Sequence, residues 1–110
     1  MIFDKTGNTT IITQEKFTIA ELVKKLEALY PKYKNDNIVV VLTSLGKISL
    51  MEIIEFLNIS NIHRGKKHSF VIVSETIDLD EVPDELLVVP SQQEAFDIIE
   101  MEEMERDLGF

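Results

Sequence analysis

Apolar and polar positions along this chain repeat with two different periods, and the switches between them divide it into strands and helices. "MIFDKTG" and "NTTIITQ" read as two short strands around Gly7-Asn8, residues that tolerate positive φ and suit a tight hairpin turn. From Thr18 the period lengthens: Ile19, Leu22, Val23, Leu26, Leu29 and Tyr30 recur at three- and four-residue steps, predicting a helix with one apolar stripe. Thr18 with Glu21 makes a capping-box start, and Pro31 is expected to stop the helix. "NIVVVL", Asn37 to Leu42, is a continuous apolar run rich in β-branched residues, the pattern of a mid-sheet strand covered on both faces.

After the loop Thr43 to Ile48, Ser49 and Glu52 repeat the capping box, and Leu50, Ile53, Ile54 and Leu57 form the stripe of a second helix. "HRGKKH" is a basic turn into the buried strand "SFVIV", Ser69 to Val73. Asp78 to Glu85 reads as a short acidic helical turn broken by Pro83, ahead of the strand Leu86 to Val89. Ser91 and Glu94 then open a last helix that runs to Gly109. The order is β-β-α-β-α-β-(α)-β-α, an α/β fold on a mixed sheet of about five strands. Right-handed crossovers make 37–42, 69–73 and 86–89 parallel.

At 110 residues, 45% of them hydrophobic, the chain is expected to form a single domain, 1–110, around one core. It contains no cysteine, which excludes disulfides, thiolate nucleophiles and cysteine-ligated metals and suits a reducing compartment. With neither a signal-peptide pattern at "MIFDKTGNTT" nor an apolar run of membrane-spanning length, the expectation is a cytoplasmic protein with no membrane partner. The net charge of −9 is unevenly spread: residues 1–74 sum to +3 and residues 75–110 to −12. That acidic last third disfavours direct nucleic-acid binding and would attract a basic protein; the plainer alternative is a solvated face.

Candidate chemistry is sparse. His63 and His68, five residues apart, do not share a helical face, and exposed loop histidines are the expected reading. Glu100, Glu102, Glu103 and Glu105 form a possible acidic partner face, expected to point outward from the last helix. None of the P-loop, dinucleotide-binding or nucleophile-elbow patterns occurs, so no cofactor, metal or catalytic residue is assigned. Thr43, Ser44, Gly46, Lys47 and Ser49 are the candidate partner or anion loop, since a helix start favours negative charge and a phosphate on Ser49 would suit it. Phe3, Phe17, Phe96 and Phe110 are expected mostly in the core, with a dimer patch as the alternative.

The strand "NIVVVL", the loop into "SLMEIIEFLNIS", the segment "GKKHSFVIVS" and the closing "LLVVPSQQEAFDIIEME" together resemble the STAS family, the sulfate-transporter and anti-sigma-factor-antagonist domain, over nearly the whole chain. The resemblance implies a non-catalytic regulatory or protein-interaction module whose loop and following helix face a partner, with a small-ligand or nucleotide-binding domain as the alternative. Anti-anti-sigma members carry D-[ST]-[ST]-G before the second helix. Here "KISLME" puts Ser49 at the Asp position, Leu50 and Met51 at the hydroxyl positions and Glu52 at the Gly position, so the phosphorylatable switch is not kept. The ending is similar to short bacterial proteins often labelled ribonuclease Z. That enzyme needs H-x-H-x-D-H and further histidines for two zinc ions, and two histidines cannot supply them; an accessory partner of such a nuclease is the most the label implies.

Overall fold

Alternating side chains of one central sheet serve two separate apolar layers, and this division organises the molecule. The structure is a computed structural model, described for residues 1–15 and 18–109. Its elements are β1 (Ile2–Thr6), β2 (Thr9–Thr13), α1 (Ile19–Tyr33), β3 (Asn37–Val41), α2 (Leu50–Ile54), α3 (Leu57–Gly65), β4 (Phe70–Val73), β5 (Leu87–Val89) and α4 (Gln92–Asp107), with a 3-10 turn at Thr43–Leu45. The strands lie in chain order, β1 antiparallel to β2 and the rest parallel. β3 sits in the middle, buried at all five positions, as its unbroken apolar run predicts.

Because each crossover steps one strand in the same direction, right-handed connections bring α1, α2 and α3 to one face. There Ile12, Ile38, Val40, Phe70 and Ile72 pack with Leu22, Leu26, Ile53, Phe56 and Ile59. Ile77, Val82 and Leu86 of the 74–86 connection join the same layer. After β5 the chain crosses to the other face, where α4 lays Ala95 and Ile99 on Val39, Val41, Val71, Val73 and Val89.

Local signals explain the helix starts. Thr18, Ser49 and Ser91 each accept the backbone N–H three residues on, and at Ser49 the Glu52 carboxylate closes the box by accepting from the Ser49 N–H. At the hairpin, Gly7 carries φ +60° while Asn8 does not need a positive φ, as in turns with glycine at the first central position.

The structure corrects several expectations. Pro31 does not stop α1, which continues to Tyr33. Tyr33 is 4% exposed, meets Tyr30 edge-on at 5.7 Å and Phe3 at 6.2 Å, and donates its hydroxyl to the Leu26 carbonyl; that burial outweighs one lost helical bond near a terminus. The second predicted helix is split at Glu55–Phe56, where Phe56 turns wholly into the core. The acidic segment 78–85 forms successive turns instead of a helix: Asp78 takes the Asp80 N–H on its side chain, and Pro83 has no N–H to offer. Phe3 is 43% exposed on the outer strand and Phe96 half-buried, while Phe17 and Phe110 lie outside the described residues.

Candidate functional site

The loop Thr43–Ser49 leaves the carboxyl end of β3, where parallel sheets usually present functional groups. Thr43, Ser44, Gly46, Lys47 and Ser49 are all exposed, so the sheet does bring the predicted loop residues to one surface. Two anchors hold them. Ile48 is buried beneath the loop, and Thr76 donates its hydroxyl to the Gly46 carbonyl at 3.0 Å while accepting the Ile48 N–H at 3.3 Å. Gly46 adopts φ +71°, ψ −139°, open to solvent at its Cα but strained for any residue with a Cβ. Thr76 was not singled out by sequence pattern; a hydroxyl just past a buried strand is its one local signal.

The helix start beyond the loop is already occupied. Glu52 Oε1 lies 3.1 Å from both the backbone N and Oγ of Ser49, and Ser49 Oγ accepts the Glu52 N–H at 3.2 Å. A carboxylate therefore sits where an incoming anion or a Ser49 phosphate would gather, and like charge opposes both, contrary to the expectation that a phosphate would suit this terminus. α2 has only five residues, which limits its dipole as well. Beside this closed cap stands Met51, 76% exposed, at one of the positions the resemblance assigns to hydroxyl residues. Since the strand order never reverses, the sheet also lacks the crevice that such reversals open for ligands.

The four candidate glutamates of α4 are not one face. Glu100 and Glu105 are exposed. Glu102 instead turns toward the sheet, accepting from Ser69 Oγ at 2.6 Å and pairing with Arg64 at 3.7 Å. Arg106 reaches Ser69 Oγ at 3.3 Å and Asn37 Oδ1 at 3.4 Å, and Asn37 Oδ1 also accepts the Ser69 N–H at 2.9 Å. Glu103 accepts from Asn8 Nδ2 at 2.7 Å. Two of the expected outward charges are thus contacts that dock the helix, because a charged group near a sheet end is stabilised by the polar groups it meets there.

His63 is not in an exposed loop but on α3 and wholly buried. Nε2 lies 2.6 Å from the Asp36 carbonyl, which only accepts, so Nε2 carries the proton and Nδ1 takes the Tyr30 hydroxyl at 2.7 Å. Burial drives its pKa from 6.5 down to about 4; the Asp36 carbonyl opposes this, while the neighbouring His68 and Lys66 add to it. The His68 ring stacks on His63 at 5.3 Å, and Lys66 lies over the Tyr30 ring at 4.9 Å. Burial likewise raises the Tyr30 and Tyr33 phenols.

An open groove of about 610 Å³ lies between β1 and the end of α1, lined by Phe3, Asp4, Lys5, Thr10, Leu29, Lys32, Tyr33 and Asp36. Its central polar groups satisfy one another: Asp36 pairs with Lys5 at 3.3 Å and accepts from Thr10 at 2.9 Å. The groove is at the opposite end of β3 from the loop, and none of the predicted site residues lines it. Among the described residues no three His, Asp or Glu side chains are placed to hold a metal ion, and no helix is long and apolar enough to cross a membrane. No protein-family model matches the chain, and no curated protein matches it in sequence.

Proposed function

We propose that this chain is a non-catalytic regulatory module of the STAS type, docking a protein partner through the Thr43–Ser49 loop and α2 without the hydroxyl switch of anti-anti-sigma members. One observation carries this reading: the Glu52 carboxylate closes the start of α2 while Met51 stands 76% exposed beside it. Such a surface offers a protruding apolar contact on a rigid cap in place of a modifiable hydroxyl, and isolated flexible methionines suit protein contacts. The five-strand α/β sheet and the exposed loop at the carboxyl end of its central strand are compatible with that module. A cytoplasmic setting belongs to the same proposal. Small-ligand binding at Gly46, Lys47 and Ser49 is the weaker alternative, because the Glu52 carboxylate opposes the anion such a helix start would otherwise attract.

Affinity capture from native lysate tests the proposal, with wild type beside Met51→Glu. The expected result is a protein retained by the wild type and lost from the variant while the thermal unfolding midpoint is unchanged. Equal retention by both, or retention of nothing, overturns it.

A further inference from the structure

α4 carries apolar residues on two opposite faces, and only one of them is used by the fold. Ala95 and Ile99 rest on the sheet. Met101, Met104 and Leu108 are 56%, 60% and 71% exposed. At about 100° per residue these three fall within an arc of roughly 60° on the side directly away from the sheet. Exposed carboxylates flank them on the wheel, Glu105 along one side and Glu100 with Asp107 along the other, while Asp97 lies on the same arc one turn toward the helix start. Spacing of i, i+3, i+7 is the footprint that accepts a second helix, and two of the three residues are methionines, whose unbranched side chains adapt to varied surfaces.

We propose that this outward face docks a basic amphipathic helix from a partner protein, its apolar side on Met101, Met104 and Leu108 and its Lys or Arg residues on the flanking carboxylates. Charge selects this occupant. A second copy of the chain would set each acidic rim against its own equivalent, and nucleic acid or an anionic membrane surface would meet the same repulsion. Glu102 and Glu103 take no part, since Glu102 bonds inward to Ser69 and Glu103 is engaged by Asn8. The inference goes beyond the loop reading and does not depend on it, because α2 and α4 pack on opposite faces of the sheet.

The test is selection of randomised phage-displayed peptides on the folded chain at low salt, with the enriched peptides then mapped by backbone amide shifts. Expected are peptides with Lys or Arg and apolar residues at helical spacing, shifting amides of α4, weakened at least about tenfold by Met101→Ser/Met104→Ser and separately by Glu100→Lys/Glu105→Lys. Met51→Glu leaves their binding unchanged, which keeps failure of the loop proposal distinct from failure of this one. Enrichment of acidic or purely apolar peptides, shifts confined to other elements, or no enrichment overturns it.

Discussion

The Tyr30 hydroxyl donates to Nδ1 of a fully buried His63, 2.7 Å away, joining the last turns of α1 to α3 through a neutral imidazole. The other ring nitrogen donates to the Asp36 carbonyl, so one side chain secures two helices and the entrance to β3. The Tyr30 bond requires Nδ1 to stay unprotonated, whereas the bond to the Asp36 carbonyl survives a charge on the ring, so protonation breaks the first and keeps the second.

Stability should therefore fall on acidification. The folded-state pKa, about 4, is below the ordinary 6.5, so the unfolded chain binds the extra proton first. The contribution of His63 is complete above pH 6.5, declines as pH falls toward about 4, and is constant below that, a loss on the order of 3 kcal/mol. Urea unfolding across this range checks it. His63→Phe is expected to shrink the pH step yet be less stable at neutral pH, because Tyr30 and Asp36 lose their partner.

Charge reversal on α4 should divide sharply by position. Glu102→Lys places a third cation beside Arg64 and Arg106 and removes the acceptor of Ser69, costing about 2–4 kcal/mol. Glu100→Lys and Glu105→Lys, at exposed positions, should stay within about 0.5 kcal/mol of wild type. Equal losses at all three in chemical denaturation would contradict the inward role of Glu102.

Ser49→Ala should lose roughly 1 kcal/mol, and Ser49→Asp should retain less than a full cap because its carboxylate would face Glu52. A Ser49→Asp variant more stable than wild type would show that the helix start accepts negative charge after all. Thermal unfolding of the two variants in parallel distinguishes the outcomes.

Gln14 is fully buried at the end of β2, and neither atom of its side-chain amide has a hydrogen-bond partner among the described residues. Gln14→Met, similar in shape and without the amide, is expected to raise stability by roughly 1 kcal/mol. A loss of stability on denaturant titration would mean the amide is satisfied in solution.

The sequence by itself determined what depends on neighbours within a few residues. Apolar runs between turn signals marked the strands, the helical period marked the buried stripe of α1, and Thr18, Ser49 and Ser91 marked the helix starts, because a cap is a bond between positions three apart. The continuous run Asn37–Leu42 even announced the central strand, since only burial on both faces removes polar alternation. Tertiary structure decided everything that turns on a distant partner. Tyr33 stays helical past Pro31 because Phe3 and Tyr30 bury it, and His63 leaves solvent because Tyr30 and Asp36, remote in sequence, meet its two nitrogens. Glu102 turns inward only because the sheet end presents Ser69 to α4, and Met101, Met104 and Leu108 stand exposed because Ala95 and Ile99 set the opposite side of the helix on the sheet. Composition counted thirteen acids after residue 74; packing decided which of them bind the fold and which stand exposed.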